Sequence, residues 1–246
     1  MTDLRSNDPK DLAKITRMAE DPEVKSAWRR AIASLSPHRY PYNWTWLGIP
    51  AIQIPQDMVA MQEIIWRTKP EVIVETGIAH GGSLIFSASM LTLLGGAGEA
   101  IGIDIDIRAD NRRAIEAHPM ASRITMFEGS STDANLIAQV RRHVGTRRTM
   151  VILDSNHTAE HVAQEIELLS PLVHKGDFLL VFDTLIEYAE QTSIGVRPWG
   201  PGNNPMTAVN AFLAGNERFV IDTEYDQKLL FTAAPRGYLR AIADPS

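Results

Sequence analysis

The chain has 246 residues, 44% of them hydrophobic and 22% charged, which are ordinary proportions for a globular protein. The 24 Lys and Arg residues and 30 Asp and Glu residues give a formal net charge of −6. This balance argues against a general nucleic-acid binder, because neutralising phosphates requires a concentrated basic surface. The absence of cysteine excludes disulfides, thiolate catalysis and every cysteine-based metal site.

Two further features bear on where the protein acts. The first residues, MTDLRSNDPKDL, contain no apolar segment of the kind found in secretory signals. No apolar run reaches the roughly 18 residues that are needed to span a bilayer. We therefore expect a soluble, cytoplasmic protein that does not contact a membrane.

Residues 1–55 are predicted to form an N-terminal helical extension and an aromatic connector. Asp8-Pro9 and Asp21-Pro22 each place a capping residue before a proline, which is typical of a helix start. Two helices are expected behind these pairs.

The connector begins with YPYNWTW at residues 40–46, and prolines at positions 41, 50 and 55 exclude a continuous helix. Its aromatic side chains would either dock the extension on the core or form a wall over a binding pocket. Trp46 is accordingly a candidate for contact with a substrate. Exposed aromatic residues in this region would also favour a homo-oligomer.

Residues 56–246 are predicted to form one domain in which strands and helices alternate. Short β-branched runs predict strands at 72–74, 100–103, 123–127, 150–153 and 178–182. Helical patterns separate them at 57–67, 83–94, 109–117, 132–143 and 158–171, and a further one lies near 206–214. Late strands at 219–221 and 228–232 would form an antiparallel pair. The pattern predicts an α/β fold with a doubly wound, mostly parallel, Rossmann-like sheet.

A glycine-rich turn follows the first strand of this sheet, where such folds bind ligands. The turn reads ETGIAHGGS from Glu75 to Ser83 and includes Gly77 and Gly81. Glycines allow a tight turn and close approach of the backbone to a ligand. The spacing matches neither the dinucleotide-binding fingerprint nor the phosphate-binding P-loop.

The ends of the next two strands carry further polar side chains. Asp104 ends the second strand, where a carboxylate is suited to accept the hydroxyl groups of a ribose. Ser130 follows the third strand, where an adenine edge would lie. Glu75 disfavours a pyrophosphate at the first turn and suits a positively charged ligand. Together these residues fit S-adenosylmethionine better than NAD.

Acidic residues also end the fourth and fifth strands, at Asp154 and Asp183. Adjacent parallel strands lie about 4.8 Å apart, so the two carboxylates could share a hard cation such as Mg²⁺. Either residue could instead cap the helix that follows it. His157 lies three residues after Asp154 and could accept a proton from a substrate hydroxyl, although an isolated histidine is more often structural.

Three stretches closely resemble the so-called cephalosporin hydroxylase family: ETGIAHGGS at 75–83, DSNH at 154–157 and RPWGPG from residue 197. Members of that family look like S-adenosylmethionine-dependent O-methyltransferases of class I, related to the Mg²⁺-dependent macrolide-sugar methyltransferases. The similarity extends from about residue 42 to about residue 239. It implies the same fold and activity for this chain.

The resemblance also implies roles for the residues at the strand ends. Those that would hold the cofactor are Glu75, Gly77 and Ser83 at its methionine end, Asp104 at its ribose and Ser130 near its adenine. Asp154 and Asp183 would be metal ligands, with Asp154 also bordering the cofactor, and His157 would be the general base. Related enzymes place a second acid or amide beside the fifth-strand aspartate, whereas Phe182 and Thr184 flank Asp183 here.

The predicted function is methyl transfer from S-adenosylmethionine to a hydroxyl group of a sugar or decorated natural product, assisted by a divalent metal. The aromatic connector and the loop 197–205 are expected to close over this small-molecule acceptor, with Arg197 and Trp199 as candidate contacts. Three alternatives remain open at this point: a metal-independent methyltransferase, a non-catalytic S-adenosylmethionine-binding partner protein, and an NAD-linked oxidoreductase.

Overall fold

The computed structural model describes residues 9–189 and 196–245. Two helices open it, α1 (Pro9–Glu20) and α2 (Pro22–Leu35). The Asp21 carboxylate caps α2 by accepting the N–H of the second helical residue at 2.8 Å, as the sequence predicts. The other predicted cap, Asp8, lies outside the described residues.

The elements that follow alternate along the chain. The helices are α3 (Pro55–Thr68), α4 (Gly82–Leu94), α5 (Ala109–Glu116), α6 (Ala134–Val144), α7 (Ala159–Leu169), α8 (Pro205–Gly215) and α9 (Thr223–Lys228). The strands are β1 (Trp44–Trp46), β2 (Ile49–Ala51), β3 (Val72–Thr76), β4 (Glu99–Asp104), β5 (Ile124–Glu128), β6 (Thr149–Leu153), β7 (Phe178–Val181), β8 (Phe219–Ile221) and β9 (Tyr238–Ala241).

The central sheet has seven strands in the order β5-β4-β3-β6-β7-β9-β8. The first five of these are parallel, and β9 pairs antiparallel with both β7 and β8. Strand order reverses between β3 and β6, which opens a crevice at the carboxyl ends of these two strands. A separate antiparallel hairpin, β1-β2, lies in the connector. The predicted mixed α/β sheet is confirmed.

Helices cover both faces of the sheet. Successive strand residues point to opposite faces, so Ile73 packs with α3 and α4 while Val72 and Val74 pack with α6, α7 and α8. All five residues of β3 are buried, as expected for a parallel strand between two helical layers. The sheet thus holds the end of β3 rigidly at the crevice.

The predicted strand at 228–232 is wrong. The Asp222 carboxylate accepts the N–H groups of Glu224 and Tyr225 at 3.1 and 3.3 Å, which starts helix α9 instead. The chain beyond α9 is an irregular segment in which the buried Asp57 carboxylate accepts hydrogen bonds from Thr232 and Ala233. The second late strand is therefore β9, after this segment.

The two helices of the N-terminal extension contact the rest of the molecule through their side chains. The Thr16 hydroxyl donates to Gln227 Oε1 at 3.0 Å, and the Trp28 ring meets the Tyr188 ring edge-on with centroids 6.5 Å apart. The division of the chain at residue 55 stays a prediction, although α3 begins there. Across residues 9–189 and 196–245, the helices are all too short or too polar to cross a bilayer.

Candidate active site

Two adjoining cavities of about 280 Å³ each open at the carboxyl ends of β3, β4, β6 and β7. The first cavity is lined by Asp154, His157 and Asp183, and the second by Asp104 and Ser130. Gly77 and Ser155 line both cavities, so they mark the boundary between them. The structure therefore brings Gly77, Ser83, Asp104 and Ser130 to the same crevice as the predicted chemical residues, whereas Glu75 and Gly81 line neither cavity.

The glycine-rich turn can approach its neighbours closely because it lacks side chains. Gly77 has φ +88, and a Cβ atom there would overlap the carbonyl oxygen of Asp154. Gly81 has φ +94, and a Cβ atom would overlap the Ile115 side chain. Both positions combine left-handed backbone with a tight contact, so only glycine fits at either one without rearrangement.

Glu75 is buried at the end of β3, with 1% of its surface exposed. Its Oε1 accepts a hydrogen bond from the Ser83 hydroxyl, while Oε2 has no partner among the described residues. Burial raises the pKa of Glu75 to about 7, and the Ser83 hydrogen bond opposes that rise. A buried carboxylate with a free oxygen is suited to a positively charged group of a ligand.

The Asp104 carboxylate closes the glycine-rich turn from the neighbouring strand. Its Oδ2 accepts the N–H groups of Ile78 and Ala79 at 2.8 and 3.2 Å. Its Oδ1 accepts only the N–H of Asp106, at 3.1 Å, in the part of the chain that is described. Because a carboxylate oxygen accepts two hydrogen bonds, Oδ1 retains capacity for a hydroxyl group in the second cavity.

Asp154, His157 and Asp183 form a cluster in which one potential ligand atom of each lies within 4.8 Å of the others. His157 Nε2 is 3.0 Å from Asp183 Oδ2. The pKa of Asp154 is well above its ordinary value because of burial first, then because of the negative charges of Asp183 and Glu75. A cation between the carboxylates would relieve this repulsion, so the donor set fits a divalent metal.

Phe182 directly precedes Asp183, at the position where the family resemblance leads us to expect another acid or amide. Its side chain is buried with 2% exposure, and its ring packs against Tyr238 with centroids 6.4 Å apart. The neighbouring Thr184 hydroxyl donates to the Pro235 carbonyl at 2.7 Å. Phe182 and Thr184 therefore add no ligand to the cluster.

Glu187, which could also have supplied a carboxylate, is engaged elsewhere. Its Oε2 accepts the Gly202 N–H at 3.0 Å and the Asn204 side-chain amide at 2.6 Å. The Asn203 side chain accepts the Ala159 N–H at 3.1 Å. These bonds anchor the loop 197–205 to the protein in the described state.

The three candidate acceptor residues lie in different places. Trp199 lines the second cavity, and its ring meets the His157 ring edge-on with centroids 4.9 Å apart. Arg197 is exposed, with its guanidinium 5.6 Å from the centre of the Trp199 ring. Trp46 does not line either cavity of the site. Its Nε1 donates to Ser89 at 3.0 Å, and its ring lines a separate apolar cavity of about 350 Å³.

The contact of Gln53 with the site has no signal in the sequence, whereas His161, one turn after His157, could be expected there as a second polar contact. The Gln53 side chain donates from Nε2 to Asp154 Oδ2 at 3.1 Å, and a lone glutamine before a helix gives no signal of this contact. His161 lines the second cavity, with Nε2 at 3.1 Å from the Ser131 hydroxyl and 3.5 Å from Glu165. The spacing of four residues between His161 and Glu165 was visible on the helix.

The sheet, the glycine-rich turn after β3 and the acid at the end of β4 define a class I S-adenosylmethionine-dependent methyltransferase. Solved structures share this fold. A CmcI structure in its Mg-SAM form has a TM-score of 0.56 at 21% identity, covering 82% of this chain and 78% of that one. An O-methyltransferase from Bacillus cereus in complex with SAH has a TM-score of 0.54 at 12% identity, covering 94% and 97%.

The chain belongs to the rhamnosyl O-methyltransferase/CmcI family, whose sequence profile matches residues 38–242. The rhamnosyl O-methyltransferase of Mycobacterium tuberculosis is 31% identical over 205 residues, which cover 79% of this chain and 77% of the relative. That of Mycobacterium leprae is 29% identical over 203 residues, covering 79% and 82%. The family confirms the predicted class of enzyme, an S-adenosylmethionine-dependent O-methyltransferase.

Proposed function

We propose that this chain methylates a hydroxyl group of a deoxysugar carried by a larger molecule, with Asp154, His157 and Asp183 at the reacting centre. The observation that carries the proposal is the convergence of these three side chains beside the glycine-rich turn. The relatives named rhamnosyl O-methyltransferases support the sugar as acceptor. The proposal assigns the two cavities to different parts of the reaction.

The donor would occupy the second cavity and extend past Gly77 into the first cavity, which Ser83 lines. S-adenosylmethionine supplies an activated methyl group on a sulfonium, so the protein has mainly to bind and align the reactants. Glu75 offers its free oxygen to the positive methionine end, and Ser83 orients that carboxylate. Asp104 would accept the ribose hydroxyls through Oδ1, and Ser130 would border adenine.

Asp154 and Asp183 would hold a Mg²⁺ ion, which lowers the pKa of a hydroxyl group bound to it. His157 would accept the hydroxyl proton. Nε2 lies 3.0 Å from Asp183 Oδ2, so Nδ1 would be the nitrogen that accepts this proton. The Trp199 ring packs against the imidazole and limits its rotation.

A metal-independent transfer is the second candidate, and the His157–Asp183 pair favours it. A carboxylate 3.0 Å from the imidazole can orient the ring and stabilise its protonated form without a cation. In that case Asp154 would act only through hydrogen bonds.

The remaining proposals concern the protein as a whole. We propose a cytoplasmic enzyme with residues 1–55 as an extension of a catalytic domain at 56–246. Arg197 and Trp199 would contact the acceptor. Exposed apolar side chains at Tyr42 and Trp66 support self-association, which the mass in solution would test.

The decisive experiment incubates the purified protein with methyl-labelled S-adenosylmethionine and a panel of rhamnosylated acceptors, with and without EDTA. Labelled product that disappears with EDTA and returns with Mg²⁺ supports the first candidate. Product that persists after exhaustive EDTA treatment supports the second. Cofactor binding without product from any acceptor would overturn both and favour a non-catalytic binding protein.

A further inference from the structure

We infer that Gln53 is a positioning residue for the metal site, because its amide fixes which oxygen of Asp154 faces the cation. This inference rests on the proposed metal site. The residue comes from the connector between β2 and α3, outside the strand ends that supply the other site residues. The contact is a hydrogen bond of 3.1 Å from Gln53 Nε2 to Asp154 Oδ2.

Gln53 lies in a segment that is held in place on both sides of it. Gln53 is 4% exposed, and its backbone N–H donates to the Pro41 carbonyl at 3.2 Å, which joins the two ends of the connector. Four residues later, the buried Asp57 carboxylate accepts the Ala233 N–H at 2.8 Å and the Tyr238 hydroxyl at 2.8 Å. The amide is thus delivered to the site by a fixed segment, which is what orienting a ligand requires.

The chemistry of the hydrogen-bond donor explains why an amide suits this position. Gln53 makes the one side-chain hydrogen bond to Asp154 in the part of the chain that is described. The bond engages Oδ2 and leaves Oδ1 for a cation. An amide carries no charge, so it orients the carboxylate without repelling the metal, whereas an Arg or Lys would compete with the ion for the same negative charge.

The buried Phe182 increases the importance of this contact. Because Phe182 contributes no oxygen, the described cluster has two carboxylates and one imidazole. Each remaining ligand must therefore be aligned well if the site is to bind a metal. Partners that orient metal ligands typically contribute 10- to 100-fold to metal affinity.

The test measures Mn²⁺ binding by electron paramagnetic resonance, which needs no turnover, in wild type, Gln53→Leu, Gln53→Asn and Gln56→Leu. Leucine removes the donor at similar size, and asparagine keeps the amide but shortens its reach. Gln56 is exposed on the first turn of α3, so its replacement by leucine is the matched control. S-adenosylhomocysteine affinity, measured in parallel, reports whether each variant is folded.

We expect both Gln53 variants to bind Mn²⁺ roughly 10- to 100-fold more weakly than wild type and Gln56→Leu, with S-adenosylhomocysteine affinity unchanged. If Gln53→Leu loses S-adenosylhomocysteine binding, it is not correctly folded, and the Mn²⁺ affinity of the milder Gln53→Asn variant tests the inference instead. Equal Mn²⁺ affinity in all four proteins would overturn the inference and leave the metal site standing. A wild type that binds S-adenosylhomocysteine but no Mn²⁺ would overturn the inference together with the metal site.

Discussion

His157 Nε2 lies 3.0 Å from Asp183 Oδ2, so the proposed general base and a proposed metal ligand are in direct contact. Asp183 reaches this position from a left-handed backbone conformation, with φ +55, directly after β7 and Phe182. The arrangement couples the orientation of the imidazole to the carboxylate that would bind the cation. A change at either residue is therefore expected to affect proton transfer.

Replacement of His157 by alanine should slow turnover by roughly 10²- to 10⁴-fold, because the acceptor proton loses its base. S-adenosylmethionine affinity should stay within about threefold, since no proposed donor contact is removed. Single-turnover rates and calorimetric binding would measure the two effects. His174→Ala is the matched control, because His174 lies before β7, is half-buried and pairs with Asp244 after β9. Normal turnover in His157→Ala would remove this residue from the role of base.

Gly77→Ala should destabilise the protein more than Gly48→Ala. The two glycines have nearly the same φ, +88 and +89, so both substitutions carry the same backbone strain. A Cβ atom at Gly48 meets nothing within 4 Å, whereas one at Gly77 overlaps the Asp154 carbonyl. Urea denaturation should show an extra loss of about 1–3 kcal/mol in the unfolding free energy of Gly77→Ala. Equal losses would mean that the β3 turn can move away from Asp154.

The affinity for S-adenosylmethionine should depend on pH through Glu75. Burial raises the pKa of Glu75 to about 7, so below that pH the carboxyl must release a proton before it can face a positive ligand. Affinity is expected to rise up to about tenfold per pH unit below pH 7 and to level above it. Calorimetric titrations should show a flat, weaker profile for Glu75→Gln. Glu167 is exposed, so Glu167→Gln is the control and should keep the pH dependence of the wild type. If affinity still depends on pH in Glu75→Gln, a group other than Glu75 causes the dependence.

Stability should fall as the pH rises through the titration of Asp57. Burial raises the pKa of Asp57 to about 6, while hydrogen bonds from Thr232, Ala233 and Tyr238 oppose the rise. The unfolded carboxyl ionises near pH 4, so between about pH 4 and 6 the folded state holds the extra proton. The unfolding free energy should therefore decrease by up to about 3 kcal/mol across this window and be level above it.

Urea denaturation of wild type and Asp57→Asn between pH 4 and 8 would check this. The stability difference between the two proteins should shrink as the pH rises to 6, because asparagine does not titrate. Asp106→Asn, at an exposed position, controls for the loss of a carboxylate in general. A difference that stays constant with pH would exclude Asp57 as the titrating group.

The sheet could be predicted from the sequence because its signals are local. Runs such as 72–74 and 150–153 are buried on both faces, so they are continuously apolar and stand out from the helices between them. The acids Asp154 and Asp183 could be placed together for a related reason, since each directly follows such a strand. The run at 228–232 was predicted as a strand because it is largely apolar. An irregular segment that packs on the core can have the same composition.

The contacts that complete the site could not be predicted because they join distant segments. Gln53 and Asp154 are 101 residues apart, and neither the connector nor the strand indicates the other. The surface that the Trp46 ring faces could not be predicted, because aromatic character does not specify it, and its contact with the acceptor stays a prediction. Its ring packs against Phe86 on α4, with centroids 4.9 Å apart.

The Asp57 carboxylate accepts hydrogen bonds from Thr232 and Tyr238, which lie 175 and 181 residues further along the chain. Contacts of such long range form slowly and only after the last strands exist. During synthesis on the ribosome, the first cavity would thus lack Ala233 in its lining until this late segment emerges. We expect nascent chains that end before residue 233 to have an incomplete reacting centre, so methyl transfer would require this late segment to be docked on Asp57.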